Sequence, residues 1–296
     1  MAGQAVSDSR HWRAELALVA VAFIWGATFV VVKQALADVS TFLFLGMRFT
    51  LAAVLLALAL SGRLGKARAE EWRGGLLCSG LLFLGYALQT TGLRLTTASK
   101  SAFITGLYIV LVPLLGSLVQ RVVPRPWELG GAALATAGTA LLTAGGAGGM
   151  DLRLNAGDML TAACAVAFAA HLLAVERYSR RMDYERLSLY QVAGVAGLSW
   201  LAAGTVETPR VEWSQALLFA LLATALLATA LSFLLYTWAQ RHTSATKAAL
   251  IFALEPVFAG VLAWAVSGEE WGAGSLGGAA LILAGIVLAE LKPARA

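Results

Sequence analysis

The chain has 296 residues, of which 59% are hydrophobic and 13% are charged, and its mean hydropathy is +0.76. Soluble domains carry about 25% charged residues, so this chain has too few ionisable groups to coat a soluble globule. The net charge of +5 does not indicate nucleic-acid binding, because the Lys and Arg residues are scattered between apolar runs. The composition predicts an all-α integral membrane protein.

Ten apolar runs are long enough to cross the hydrocarbon layer as helices, which takes about 20 residues. The first run, from Ala14 to Val32, is longer than the apolar part of a signal peptide, so we expect a retained helix. Short connectors with turn residues separate the runs. The predicted spans are residues 14–36, 40–60, 74–95, 97–120, 126–145, 156–178, 186–205, 214–240, 244–267 and 271–291.

The positions of the basic residues predict the orientation. With the N-terminus inside, 16 of the 22 Lys and Arg residues fall at the cytoplasmic ends of the spans and five at the opposite ends. Positive residues collect on the cytoplasmic side of membrane proteins. We therefore expect a multi-pass protein of the cell inner (cytoplasmic) membrane, with cytoplasmic tails at residues 1–13 and 292–296.

The sequence repeats itself with a displacement of 147 residues. The motif LGGAAL at 129–134 recurs at 276–281, and Thr97–Lys100 recurs without a gap as Ser244–Lys247. Two matches in one register indicate a duplication with five helices in each half. Because five is odd, the second copy enters from the opposite face, and inverted repeats are typical of transporters. The predicted organisation is a first five-helix repeat at 14–145, a linker at 146–155 and a second five-helix repeat at 156–291.

Four short motifs stand along the chain: Trp25–Phe29 (WGATF), Arg48-Phe49, Ala102–Tyr108 (AFITGLY) and Leu254–Phe258 (LEPVF). As a set they resemble the drug/metabolite transporter superfamily, in its ten-helix, EamA-type members. The resemblance covers residues 14 to 291. It implies a carrier that exports small metabolites, and bacterial exporters of aromatic amino acids are the nearest look-alike.

Three ionisable residues lie near the middle of predicted spans, where a charge costs several kcal/mol and therefore suggests function. Glu255 precedes Pro256, which removes a backbone donor; the freed carbonyls and the carboxylate could bind an ammonium group, or Glu255 could cap freed N–H groups. His171 could bind a substrate carboxylate, relay a proton, or simply bond to a neighbouring helix. For Arg48 we expect snorkelling or a structural pair.

Two lysines and two prolines are candidate gating residues. Lys100 and Lys247 stand in the first turns of matching helices, where the helix dipole disfavours a cation. A gate or a carboxylate-attracting vestibule explains these positions, and so does snorkelling at the interface. Pro113 and Pro256 lie in the same two helices and predict flexible or broken segments in both.

Aromatic side chains within the spans are expected to line a substrate cavity, although packing explains any single one equally well. Tyr86 and Gln89 share one helix face, as do Tyr236 and Gln240. Buried tyrosines need a partner for the hydroxyl, which favours a polar cavity. The predicted substrate-binding residues are Trp25, Tyr86, Gln89, Phe103, Tyr108, His171, Tyr236, Phe252, Glu255 and Trp264.

Enzyme and metal chemistry have no sequence support. There is no H-E-x-x-H motif, no P-loop and no pair of Asp residues inside the spans. Cys78 and Cys164 lie singly in apolar runs, so we expect free thiols. We therefore predict no catalytic residue, no cofactor and no metal.

The predicted function is secondary transport that exports small zwitterionic metabolites, with neutral or aromatic amino acids preferred. The predicted route is alternating access through a midplane cavity between helices one, three, four, six, eight and nine. The alternatives are a multidrug or organic-cation exporter and a channel; no acidic residue lies between Ala17 and Val32, which weighs against a lipophilic cation. The expected partners are a small-molecule substrate and membrane lipid, without nucleic acid, and the unit is a monomer or a homodimer.

Overall fold

A computed structural model describes residues 2–63, 69–121, 123–144, 153–267 and 272–290. These residues are almost entirely helical, which confirms the all-α prediction, and within them one isolated β-bridge pairs Val39 with Val211. The helices are α1 (Ala2–Ala35), α2 (Thr41–Leu60), α3 (Ala69–Leu95), α4 (Ala98–Gly106), α5 (Tyr108–Gln120), α6 (Pro126–Ala144), α7 (Ala156–Ser179), α8 (Tyr184–Thr205), α9 (Gln215–Ala223), a π-helix (Thr224–Leu231), α10 (Ser232–Gln240), α11 (Ala245–Phe252), α12 (Glu255–Ser267) and α13 (Ala273–Glu290).

Eight helical stretches of the described residues are long and apolar enough to cross a membrane. The remaining two predicted spans correspond to α6 and α13, which have 19 and 18 residues and are rich in glycine. Some helices extend beyond the predicted spans: α1 begins at Ala2 rather than at 14, and α3 at Ala69 rather than at 74. An apolar run gives the length of helix that lipid can cover, and polar residues continue the same helix outside it.

The fourth and ninth predicted spans are broken, but not at their prolines. Tight turns at Leu107 and Ala253 interrupt them, with nearly equal φ/ψ angles of −61°/−16° and −59°/−14°. At each turn the backbone N–H donates to the carbonyl three residues earlier, at 3.1 Å. Pro256 is the second residue of α12, where its missing N–H costs no helical hydrogen bond. Pro113 lies inside α5, past the turn at Leu107, so the interruption of each span precedes its proline.

Duplicated sequence gives duplicated local structure at the start of α4 and of α11. Thr97 and Ser244 are the N-caps, and each side-chain oxygen accepts the backbone N–H three residues later, from Lys100 and Lys247, at 3.2 Å. A capped terminus satisfies a backbone donor that the helix itself leaves open. The same sequence signal therefore begins the same element in both halves.

Glycines bring α6 and α13 into close contact. A Cβ atom at Gly131 would lie 2.5 Å from the carbonyl oxygen of Gly285, and one at Gly138 would lie 2.6 Å from that of Gly278. Only a residue without a side chain fits at such approaches. Since 278 and 285 are the repeat counterparts of 131 and 138, the two helices contact each other reciprocally. This close helix packing is within one chain.

The buried core lies between the ends of the helices and surrounds the candidate site. Its largest fully buried side chains include Phe44, Phe49, Phe233 and Tyr236. Cys78 and Cys164 are buried free thiols, as predicted. Many leucines on the outer faces, such as Leu58 and Leu76, are exposed, which is the distribution expected of a surface that contacts lipid.

Candidate functional site

A cavity lies between α1, α2, α3, α7 and α10 and the two helix breaks. Eight of its 19 lining residues are Phe, Tyr or Trp, and a few polar and charged groups stand among the apolar ones, as in small-molecule binding sites. Eight of the ten predicted substrate-binding residues line it: Trp25, Tyr86, Gln89, Tyr108, His171, Tyr236, Phe252 and Glu255.

The described lining does not include the other two predicted residues. Phe103 lies on α4 and is not among the cavity residues. The side chain of Trp264 lies outside what the structure describes. Both were chosen only as aromatics within spans, and nothing in the sequence gave their direction around the helix axis.

The cavity also contains residues that sequence reasoning missed. Arg48 brings in the second helix, in addition to the six helices that were predicted. Phe168 and Phe233 line the cavity as well, and each stands three residues before a predicted lining residue, His171 and Tyr236. Spacing of i and i+3 puts two side chains on one helix face, so extending each candidate by one turn would have found both phenylalanines.

Glu255 lies at the second helix break and is the acidic residue of the cavity lining. It is the first residue of α12, where the helix dipole stabilises a negative charge. The Tyr108 hydroxyl donates a hydrogen bond to its Oε1 at 3.1 Å. Tyr108 begins α5 just after the first break, and the two residues are 147 positions apart. The repeat counterparts therefore touch each other.

The π-helix supplies hydrogen-bond acceptors to two cavity residues. The indole N–H of Trp25 donates to the carbonyl of Ala228 at 2.9 Å, and Arg48 Nε donates to Thr229 Oγ1 at 2.8 Å. The Thr229 hydroxyl in turn donates to the carbonyl of Thr224, five residues earlier, at 2.8 Å. π-helical turns are rare and are frequent at functional sites. Here the turn fixes the positions of Trp25 and Arg48.

His171 is held by a chain of hydrogen bonds that leads away from the cavity. Gln191 donates through Nε2 to Thr237 Oγ1 at 2.9 Å, and its Oε1 lies 2.8 Å from His171 Nε2. In this arrangement His171 donates from Nε2, and the other ring nitrogen of the neutral imidazole is an acceptor. An acceptor nitrogen does not favour a carboxylate, so this arrangement disfavours carboxylate binding, which was one of the three roles considered for His171.

Lys100 forms a buried ion pair, and neither the open vestibule nor snorkelling describes it. Its Nζ lies 2.6 Å from Asp158 Oδ2 and donates to the Arg153 carbonyl at 2.6 Å. Lys100 is 6% exposed and Asp158 1%. Thr96 also donates to Asp158, at 2.7 Å. Asp158 belongs to the first turn of α7, so the pair ties the start of α4 to the start of α7.

Lys247 forms the counterpart pair, which is more open. Its Nζ lies 2.5 Å from Oε1 of Glu15 on α1, and the two side chains are 27% and 38% exposed. The two ion pairs lie at opposite ends of the helices. Lys33, near the end of α1, donates to the carbonyl of Thr96 beside the Lys100 pair, at 2.9 Å. Glu15 and Lys33 are roughly 27 Å apart along α1 at the rise of an α-helix.

The site combines a carboxylate, a buried guanidinium and aromatic walls, which suits binding rather than bond-breaking chemistry. No cluster of three His, Cys, Asp or Glu side chains that could hold a metal occurs in the part of the chain that the structure describes. A second cavity adjoins the first. Glu255 and Tyr108 line both cavities, so their hydrogen-bonded pair stands between them.

Comparisons with known proteins agree with this architecture. The model of the EamA-like transporter family matches the chain twice, at residues 12–144 and 155–291. An uncharacterized transporter of Archaeoglobus fulgidus is 35% identical over 279 residues, which are 94% of this chain and 86% of that protein. The uncharacterized transporter YoaV of Bacillus subtilis is 22% identical, covering 92% of this chain and 95% of that protein.

A solved crystal structure of a protein is similar along nearly the whole chain. It is 22% identical, with a TM-score of 0.78, and the match covers 93% of this chain and 96% of that one. A likeness at this identity establishes the fold. The double family match puts one copy of the family domain in each half of the chain.

Proposed function

The chain belongs to the EamA-like transporter family and is a multi-pass membrane transporter, and we propose that it exports small zwitterionic metabolites, neutral or aromatic amino acids above all. The observation that carries this proposal is the cavity, in which Glu255 stands among Trp25, Tyr236 and Phe252. A carboxylate at a helix break binds an ammonium group, and aromatic walls bind an apolar side chain.

We further propose that ten helices cross the cell inner membrane as two inverted five-helix repeats with both termini in the cytoplasm. Three observations support the inversion. The repeated starts of α4 and α11 contact opposite ends of α1, the glycine pairs of α6 and α13 contact reciprocally, and the counterparts Tyr108 and Glu255 meet. A two-fold relation between the halves explains all three at once.

The two ion pairs are proposed as the gates of alternating access. In the predicted orientation Lys100 and Asp158 close the outer end, and Lys247 and Glu15 the cytoplasmic end. The different burial of the two pairs supports a state in which the outer gate is shut tightly and the inner one loosely. The tight turns before α5 and α12 lie beside the cavity. When substrate binds there, a change of the angle between α4 and α5, and between α11 and α12, would move the ion pairs at both ends of the molecule.

The test of this function is flux in proteoliposomes. Labelled phenylalanine or leucine, loaded inside, should leave with saturable kinetics and should exchange with unlabelled amino acid outside. We expect little dependence on an imposed pH difference, because few ionisable groups line the cavity. Excess of an organic cation such as tetraphenylphosphonium should compete poorly.

The second candidate is an organic-cation exporter. It is favoured by one observation, since Glu255 between aromatic side chains would bind a cation that lacks a carboxylate. Saturable flux of tetraphenylphosphonium without any saturable flux of amino acids would replace the first proposal with this one. Flux that never saturates and shows no exchange would indicate a channel.

A further inference from the structure

Within the residues that the structure describes, Arg48 is a buried cation without a carboxylate partner. It is 3% exposed, it lies on α2 within the membrane-spanning part of the fold, and it lines the cavity. It forms no ion pair with any Asp or Glu of these residues. An uncompensated buried charge is strongly unfavourable, so this position favours the binding of an anion.

The contacts of Arg48 hold it in place and leave its charge uncompensated. Nε donates to the neutral hydroxyl of Thr229 at 2.8 Å. The guanidinium carbon lies 5.3 Å from the ring centroid of Phe49 and 5.1 Å from that of Tyr86. Arg48 also forms a hydrogen bond with the Tyr86 side chain. A guanidinium has five N–H donors, so the donors that Thr229 and Tyr86 do not use can bind a carboxylate.

The other cations near the cavity are already engaged by the protein. Lys100 pairs with Asp158, and Lys33 donates to the carbonyls of Leu93, Arg94 and Thr96 at the end of α3. These bonds satisfy the two lysines within the fold. Lys33 also lacks a carboxylate partner within the described residues, but its ammonium group donates to three backbone carbonyls and it does not line the cavity. Arg48 does line the cavity, so it is the basic side chain placed to meet a bound anion.

We propose that Arg48 binds the carboxylate of the transported amino acid, while Glu255 binds its ammonium group. This inference rests on the proposed function and extends it, because the sequence pattern pointed to His171 or Lys100 for the carboxylate. The positive charge of Arg48 then comes from the first repeat, and the negative charge of Glu255 comes from the second. The substrate class narrows to molecules that carry both charges, with the apolar side chain against the aromatic wall.

The experiment compares two ligands that differ only at the carboxylate. At about pH 6, below the pKa of an α-amino group, phenylalanine and phenylalaninamide both carry the ammonium group and the ring, but the amide carries no negative charge. Their dissociation constants are measured by titration calorimetry on the purified wild type, on Arg48→Gln and on Arg48→Met. Arg63→Gln is the matched control, because this substitution removes the same charge from a side chain that is 70% exposed and does not line the cavity.

The wild type and the control should bind phenylalanine more tightly than the amide. In Arg48→Gln the affinity for phenylalanine should fall by about tenfold or more, the usual effect of losing a hydrogen bond to a charged group, while the amide binds as before. Arg48→Met fills the same space without charge and serves if the Gln variant does not fold. If either variant still prefers phenylalanine to phenylalaninamide as strongly as the wild type does, Arg48 does not bind the carboxylate. Absence of saturable binding of both ligands to the wild type would instead overturn the proposed function.

Discussion

The two helix breaks have the same backbone and different chemistry. The turns at Leu107 and Ala253 have nearly identical angles, and α5 and α12 begin at repeat-equivalent residues. The first residue after the break is Tyr108 in one half and Glu255 in the other, and these two side chains bond to each other. Two carboxylates at this contact would repel. The duplicated scaffold thus keeps its symmetry, and the centre where the halves meet does not.

The ends of the molecule differ in a similar way. The Lys100 pair is almost completely buried, and the Lys247 pair is partly exposed, although the two lysines begin matching helices in the same manner. A transporter that opens at one end at a time needs unequal ends in any single state. The difference in burial predicts unequal costs when each pair is removed.

Removing the lysines should give the largest difference between the halves. Lys100→Met leaves the carboxylate of Asp158 buried without its cation, so the free energy of unfolding should fall by about 3–5 kcal/mol. Lys247→Met affects a partly exposed pair and should cost about 1 kcal/mol or less. Thermal unfolding in one detergent measures both. Equal losses would contradict the assignment of a tight and a loose end.

The two residues at the central contact should differ in their effect on transport. Glu255→Gln removes the charge that binds ammonium, and the apparent affinity for phenylalanine in the flux assay should fall by about 10- to 100-fold. Tyr108→Phe removes only a neutral hydrogen-bond donor and should change it by about fivefold or less. A larger effect of the tyrosine substitution would mean that the charge is not what binds the substrate.

The second break also depends on a glycine of α1. A Cβ atom at Gly26 would lie 2.4 Å from the carbonyl oxygen of Glu255. Gly26→Ala should therefore push α12 away and lower the free energy of unfolding by about 1–3 kcal/mol. Gly197→Ala is the control, because nothing lies within 4 Å of the added methyl group; that variant should be neutral or slightly more stable. Equal stability of the two variants would rule out this close approach.

The smallest expected change in affinity comes from removing the hydrogen bond between Arg48 and Thr229, which lies in the second half of the chain. Thr229→Val removes the acceptor of Arg48 Nε but keeps the guanidinium and the volume of the side chain. Affinity for phenylalanine should fall by about fivefold, the value of one hydrogen bond, and affinity for phenylalaninamide should not change. A parallel loss for both ligands would show general damage to the cavity instead of a misplaced guanidinium.

The scaffold could be predicted because membranes impose simple rules on sequence. Apolar length indicated the helices, and the repeat of Thr97–Lys100 as Ser244–Lys247 indicated matching helix starts. Most of the candidate cavity residues could be found for a related reason: polar and ionisable groups such as Glu255 and Gln89 are costly in lipid and turn inward. The cavity lining contains both of these residues.

The details that the sequence did not indicate depend on tertiary contacts. The turn at Leu107 contains Gly106, but the turn at Ala253 contains no glycine or proline, so no shared local signal distinguishes the two turns from continuous helix. The π-helix at Thr224–Leu231 has the same apolar composition as an α-helix. The burial of Lys100 depends on Asp158, which lies in the other half of the chain. Such pairings need the three-dimensional arrangement of the helices.

Alternating access requires one cavity that opens to each side of the membrane in turn. Chemical labelling of a cysteine inside the cavity tests this directly. Gln89 lines the cavity and is only partly buried, so Gln89→Cys can be made in a chain whose Cys78 and Cys164 are replaced by Ala. A membrane-impermeant maleimide is added to one side or the other of oriented vesicles. We expect reaction from each side, with phenylalanine slowing both reactions and the tetraphenylphosphonium control slowing neither. Reaction from a single side under all conditions would contradict alternating access. Reaction rates that phenylalanine leaves unchanged would contradict binding of phenylalanine in this cavity.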